Sequence, residues 1–362
     1  MKNKICFIAQ FPPPMHGLSK AVATLYNSAL ADEFQFEKVD IADNKKFLKN
    51  LIKIFRNNSD LFYFTLSQTK GGNLRDLIIF KLLEFQKKSC LIHLHGGYYR
   101  QLVDNDMSSW QRKANYKAIK KLNGAIVLSE SLRGIFKEMI ADEKIHVVPN
   151  CVDDEFLMTN AEFQEKVATI KHKNVLNVLY LSNFIKSKGY REVLKLAKLE
   201  KERVEIGEKK RLHFNFAGEF FSESEKNYFK EYIKENELSE FITYHGIVEG
   251  QQKKQLLKQC NIFTLLTRYP KEGQPISILE AMGNGMVIMT TDHAGIPDIV
   301  QDEVNGIVVT NTEQRDISSL YKKISCEKNI MNNNRNKILQ EFVEKRYLSD
   351  LHQIFKNCSN SR

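Results

Sequence analysis

The chain has 362 residues, 42% hydrophobic and 27% charged, with a formal net charge of +10. The length favours two domains over one, and the composition is that of an ordinary globular chain. No window reaches 18 uninterrupted apolar residues, which excludes a membrane-spanning helix, and the basic balance suits nucleic acid, anionic lipid or phosphorylated substrates without choosing among them.

In chain order, residues 4–10 (KICFIAQ) predict a first strand, and residues 17–31 a helix with Leu18, Val22, Leu25 and Leu30 on its apolar face. Residues 34–40 and 61–66 predict strands, 75–88 a helix, and 89–95 (SCLIHLH) a strand. Residues 110–122 predict a basic helix, and 124–128 and 145–148 two short strands. The pattern breaks over residues 150–174, a polar, lysine-rich stretch that reads as a linker. A second series then predicts strands at 176–181, 212–217, 242–244, 262–266, 286–290 and 306–309, with helices at 189–199, 222–235 and 251–259. Residues 332–357 predict a charged terminal helix.

Strands separated by helical patterns indicate parallel sheets of βαβ units. The fold class is therefore α/β, two doubly wound Rossmann-like domains in tandem. The expected domains are 1–165 and 166–340, with a helix at 341–362 packing back on the first. Such domains bind ligands at the carboxyl ends of their strands, which predicts a shared site in a cleft between them. The six scattered cysteines form no C-x-x-C pair and read as free thiols in a reducing compartment. Lys2 and Lys4 lead into a strand-length apolar run and then prolines, which is no signal peptide. A cytoplasmic chain is the expectation.

Glu272 and Glu280 are the most informative residues. The run from Asn261 before them reads as a buried strand, and Pro275 reads as the first position of a helix, where its missing N–H costs nothing. Strand, glycine turn and helix thus follow each other, with one carboxylate on the turn and one within the helix. The start of a helix suits an anion such as phosphate. Carboxylates beside it more naturally accept hydrogen bonds from sugar hydroxyls. A phosphate cradle with two hydroxyl acceptors suggests a nucleotide-sugar site.

With those residues in place, the chain resembles the retaining glycosyltransferases of family 4, which have the GT-B fold. The segment 272–280 matches that family's E-x7-E signature, and Ala294-Gly-Ile-Pro-Asp-Ile-Val300 follows as in bacterial polysaccharide enzymes. Val147-Val-Pro-Asn-Cys-Val-Asp153 resembles the interdomain V-I-P-N-G-V-D string, with Cys151 in place of glycine. Phe216-Ala-Gly218 and Tyr244-His-Gly246 match second-domain strand ends, Gly246 where the base-contacting loop begins.

The resemblance implies roles residue by residue. Glu272 accepts from the donor sugar's hydroxyls and Glu280 from the ribose. The backbone of Gly273, Gln274 and Pro275 approaches the sugar, Ile276 belongs to the same binding segment, and Ser277 and Ile278 supply early helix N–H groups for the diphosphate. Lys188, in a Lys-Gly pair, neutralises the departing diphosphate. The family's arginine about five residues earlier is Asn183 here, with Lys186 or Arg268 as substitute cations. His95 lies beside sugar and acceptor, and Gly17 stands in a loop approaching the phosphate. His93, two residues before His95, reads as core.

The implied donor is a nucleoside diphosphate sugar, of the UDP type, and the implied acceptor a glycan or lipid-linked oligosaccharide of a cell-surface polysaccharide such as lipopolysaccharide. No cofactor and no metal are expected. Asp104-Asn-Asp106 looks like a metal-binding D-x-D but reads as a loop with an N-cap. The basic stretches at 44–57 and at 98–103 with 110–122 (Trp110, Arg112, Lys113 and Lys117 among them) read as contacts for an anionic membrane surface. Nucleic acid is not expected, because only net charge supports it. No G-x-G-x-x-G follows a strand, which argues against a dehydrogenase. The alternatives left open are a nucleotide-sugar epimerase of the same fold and a non-catalytic nucleotide-sugar-binding protein.

Overall fold

The computed structural model describes residues 2–13, 17–310, 321, 323, 325 and 327–360. Cys326 and the loop residues 14–16, His16 included, lie outside the described residues. The chain divides into two compact units. Unit 1 takes Met1–Asn150, Lys271–Gln274 and Lys345–Arg362, and unit 2 takes Cys151–Pro270 and Pro275–Glu344. The division falls after Asn150, whereas the boundary expected from sequence, residue 165, stands inside the helix Asn160–Thr169.

Unit 1 is built on strands β1 (Lys4–Ala9), β2 (Gln35–Asp40), β3 (Leu61–Thr65), β4 (Ser89–His93), β5 (Gly124–Val127) and β6 (Ile145–Val147). They pair in parallel in the order β2-β1-β3-β4-β5-β6. The run Leu-Phe-Tyr-Phe-Thr of β3 is buried throughout, as a strand covered on both faces requires. On one face Phe355 of the helix Glu344–Asn360 meets Phe7 and Tyr63 edge-on, at centroid distances of 6.3 and 5.7 Å. On the other, Phe80 of the helix Lys70–Phe85 packs on Phe64 at 5.0 Å.

Unit 2 carries β7 (Leu176–Leu181), β8 (Leu212–Ala217), β9 (Ile242–Tyr244), β10 (Ile262–Leu265), β11 (Val287–Thr291) and β12 (Gly306–Val309). Their order is β12-β11-β10-β7-β8-β9, again all parallel. Its core centres on Phe184, which touches Tyr180, Tyr190, Phe216 and Phe229 at 5.2–6.2 Å. Strand order reverses between β7 and β10 in unit 2, and between β1 and β3 in unit 1. These are the switch points where doubly wound sheets leave room for a ligand.

Several expectations need correction. The stretch expected as a linker contains the helix Asn160–Thr169, closed by a capping box between Thr159 and Glu162. Its apolar face is only Phe163 and Val167, too sparse to show as a period, and its buried Lys166 donates 2.9 Å to the Asn284 carbonyl. The helix expected from residue 75 begins at Lys70, capped by Thr69, because Gly71 and Gly72 sit inside its first turn. The terminal helix is two helices, Lys328–Glu341 and Glu344–Asn360, parted where Val343 bridges to Val152. Pro275 is the N-cap of the helix Ile276–Gly283 rather than its first residue.

Candidate functional site

In unit 2 the loops leaving the strands carry the expected residues. Behind β7, Asn183 and Lys186 are exposed and Lys188 is half-buried in the turn Lys186–Lys188. That turn is tied to the segment leaving β10. Arg268 donates its backbone N–H to the Ser187 carbonyl at 2.7 Å, and the Lys188 ammonium stands 5.0 Å over the Tyr269 ring. Gly189 closes the turn at φ +81°, and a Cβ there would lie 2.2 Å from the Leu266 carbonyl oxygen. Only glycine fits both demands. Lys188 is thereby fixed at the β7–β10 switch point. The strand ends of β8 and β9 are joined as well, the Gly218 N–H donating to the Gly246 carbonyl at 2.8 Å. Beside them Tyr244 and Phe220 pack on Phe184.

Beyond β10 the chain enters the helix Ile276–Gly283. Its N-cap Pro275 makes no side-chain cap, so no side chain of the cap occupies the first turn. The Ile278 N–H donates to the Pro275 carbonyl at 3.1 Å. Ile276 and Ser277 form the open end. Glu280, in the second turn, is only 1% exposed. Its Oε1 accepts from Lys253 Nζ at 2.6 Å, and that ammonium also lies 4.2 Å over the Phe156 ring. A carboxylate so deep needs a partner, and Lys253 is a residue the sequence did not single out. Nothing marks it among its neighbours in the lysine-rich helix Gly250–Gln259.

Glu272, 8% exposed, lies in the part of this segment that belongs to unit 1. Gly273 rests against the end of β4, where a Cβ would come within 2.8 Å of the His95 carbonyl oxygen and 3.1 Å of the Gly96 Cα. Gly96 meets the Lys271 carbonyl in the same way, at 2.7 Å. Two glycines facing each other let the backbones of the Glu272 segment and the His95 loop touch. Gln274 is clamped by Asn150, whose backbone N–H donates to Gln274 Oε1 (2.8 Å) and whose Nδ2 donates to the Gln274 carbonyl (2.9 Å). Asn150 stands in the Val-Pro-Asn string, and it is the two hydrogen bonds it donates to Gln274 that give it a role.

His95 lies beyond the end of β4, which stops at His93. The two rings stack at 3.9 Å, as expected for residues two apart leaving one face. Burial pushes the His95 ring down to about 4, and burial, with the His95 ring beside it, also holds His93 well below the ordinary histidine range. Both are neutral at pH 7. Tyr63 Oη and His93 Nδ1 share a hydrogen bond of 2.6 Å. The buried Nε2 of each histidine has no hydrogen-bond partner among the described residues.

Other candidates resolve differently. Gly17 opens the helix Gly17–Tyr26 at an exposed position. Arg268 donates to Asp292 at 2.6 Å and to the Val309 carbonyl at 3.2 Å, and stays partly exposed. Asp104 pairs with Arg100 (2.5 Å) and Arg112 (3.1 Å), and Asp106 accepts from Tyr98 (2.5 Å). Neither is an N-cap; Ser108 caps the helix Ser109–Ile119. The 98–103 stretch, expected at a membrane surface, buries Tyr99, Leu102 and Val103.

Unit 2 thus sets a half-buried lysine and an open helix end at the point where its strand order reverses, with the buried Glu280 in the next helical turn. The family "Glycosyl transferases group 1" matches residues 161–341, half of the chain, and the chain belongs to that family. An uncharacterized glycosyltransferase of Methanocaldococcus jannaschii is 25% identical over 329 residues, covering 88% of this chain and 80% of the relative. An amylovoran biosynthesis glycosyltransferase of Erwinia amylovora is 25% identical over 97 residues, 26% of this chain and 24% of that protein. The crystal structure of Anabaena HepE in complex with UDP superposes with a TM-score of 0.74 at 14% identity, covering 98% of this chain and all of that one (100%). The same protein has been solved with UDP-glucose (TM-score 0.73, 15% identity, 98% and 99% covered). The architecture is the GT-B fold.

Proposed function

We propose that this chain is a retaining, metal-independent glycosyltransferase that moves a sugar from a UDP-type nucleoside diphosphate sugar to a glycan or lipid-linked glycan acceptor in cell-surface polysaccharide synthesis. The observation that carries the reading is Lys188, pinned at the β7–β10 switch point over Tyr269. A fixed cation there meets the charge that develops on a leaving diphosphate, and a preorganised charge acts at no reorganisation cost. The donor class draws support from the UDP and UDP-glucose complexes of the structural neighbour, and the pathway class from the amylovoran relative.

In the proposed reaction the anomeric C–O bond breaks and its electron pair passes to the diphosphate. Lys188, Lys186 and the helix beginning at Ile276 receive that charge. The acceptor hydroxyl attacks the same face of the sugar, and its proton goes to the departing phosphate oxygen. Glu272 holds the sugar hydroxyls and Glu280, backed by Lys253, the ribose. His95, neutral, offers its Nε2 to a hydroxyl near the reacting carbon. Asn183 donates a hydrogen bond where a cation would otherwise stand.

A thermal-shift screen of nucleotide sugars identifies the donor by the largest rise in melting temperature. Transfer from that donor, labelled, should persist in EDTA and give a product with the donor's anomeric configuration. An inverted product rules out retention. Full transfer by Glu272→Ala removes that residue from the reaction, and binding without transfer or hydrolysis leaves a binding protein.

A further inference from the structure

Unit 2 holds two buried cations that the proposed reaction does not use. Lys166, on the helix Asn160–Thr169, is 6% exposed, and Arg335, on the helix Lys328–Glu341, is 4% exposed. Both reach the far end of the helix Ile276–Gly283. Arg335 Nη1 donates to the Gly283 carbonyl at 2.8 Å, and Lys166 Nζ donates to the carbonyl of the C-cap Asn284 at 2.9 Å. Arg335 Nη2 also donates to the Met158 carbonyl at 2.8 Å and to Asn160 Oδ1 at 2.9 Å, with the guanidinium 4.8 Å over the Phe163 ring. Lys166 makes a longer bond of 3.4 Å to the Leu257 carbonyl.

None of these acceptors carries a formal charge. Glu162, whose field reaches Arg335, is itself paired with Lys258 and closes the capping box at Thr159. Burial pulls the Arg335 guanidinium below its ordinary range, the mark of a charge that has lost its hydration. A helix end can be closed without charge, and this one partly is: Asn284 Nδ2 donates to the Glu280 carbonyl at 2.8 Å. Capping alone does not account for two buried charges at one helix end.

The helix has eight residues, so its ends lie only about 12 Å apart. The negative end of so short a dipole works against an anion at the positive end. Two cations on the Gly283 and Asn284 carbonyls cancel that negative end and reverse its sign, and buried charges are screened far less than exposed ones. Glu280, within the helix, is already balanced by Lys253. We propose that Lys166 and Arg335 are positioning residues for the donor diphosphate, acting through the helix Ile276–Gly283 on an anion that neither side chain touches. The inference rests on the sugar-transfer reading, which sets the diphosphate at the start of that helix.

The test measures the affinities of UDP and of uridine by calorimetry, on the full chain and on Lys166→Met, Arg335→Met and Arg335→Lys. The parent should bind UDP more tightly than uridine. Each methionine variant should lose about tenfold in UDP affinity, the effect of one unit charge across a helix of this length in a protein interior, and keep its uridine affinity. The loss should persist in about 0.5 M sodium chloride, where exposed charges are screened. Arg335→Lys should keep the parent's UDP-to-uridine ratio whatever its melting temperature. If Arg335→Met does not fold, Lys166→Met decides. Methionine variants that keep the parent's ratio, or lower both affinities alike, overturn the inference and leave the transfer reading standing. So does an Arg335→Lys chain that loses the ratio as the methionine variant does. A parent with no preference for UDP over uridine overturns both.

Discussion

The two sheets have the same number of parallel strands, yet their carboxyl ends are furnished in opposite ways. Unit 2 ends in charge: Lys186 and Lys188 behind β7, the open helix Ile276–Gly283, and a buried Lys253–Glu280 pair. Unit 1 ends in groups that carry no positive charge: the stacked His93 and His95, Gln274 in the amide clamp of Asn150, and the Glu272 carboxylate, whose segment lies against Gly96. The difference teaches a division of labour. In the proposed reaction fixed positive charge meets the diphosphate, whereas the sugar hydroxyls meet the Glu272 carboxylate and uncharged groups such as His95.

The sharpest way to break this comparison is to remove one group from each side. Lys188→Ala should lower kcat by about a hundred- to a thousandfold, the cost of losing one preorganised group for a developing charge, with little change in melting temperature. His95→Gln should lower it by only about tenfold, in line with one neutral hydrogen bond. Equal losses in single-turnover assays would erase the distinction.

A second test uses pH. Because His95 is held at about 4 against an ordinary 6.5, the unfolded chain takes up a proton between those values that the folded unit refuses. Stability is therefore full above pH 6.5 and falls as pH drops towards 4, by up to about 3 kcal/mol for this residue. His93 acts in the same direction. Melting temperature followed from pH 7 to 4 should show the loss, and His95→Gln should shallow the slope. A slope unchanged by the substitution would refute the neutral assignment.

The smallest effect concerns scaffolding. Gly189→Ala forces a side chain into a left-handed turn against the Leu266 carbonyl, and should destabilise unit 2 by about 1–3 kcal/mol. In a unit of this size that is a fall of roughly 2–4 °C per kcal/mol. Transfer should fall as well, since the turn carries Lys188. A variant as stable and active as the parent would mean that the turn does not need its left-handed residue.

Much of this was legible in the sequence because parallel strands buried on both faces read as unbroken apolar runs, as in β1, β3 and β10, while the edge strands β2 (QFEKVD) and β9 are largely exposed and carry a weaker pattern. Helix ends were less legible. The run from Lys70 hides behind Gly71 and Gly72, and the capping box at Thr159 announces a helix whose apolar face is two residues wide. The segment 272–280 shows its chemistry in the order of its residues. Lys253 and Asn150 do not, because their importance comes from partners 27 and 124 residues away. No local pattern encodes a distance of that kind.

The allocation of Lys345–Arg362 to unit 1 has a consequence for how the protein is made. Phe355 closes the aromatic core around Phe7 and Tyr63, so the sheet of unit 1 is finished by a helix that follows the whole of unit 2 in the chain. Domains tend to fold as they emerge, N-terminal first, but here the early sheet must wait, with part of its core bare, while the whole of unit 2 is synthesised. A nascent chain halted at Asn150 should therefore bind chaperones that hold exposed apolar surface, and release them only when the C-terminal helix arrives.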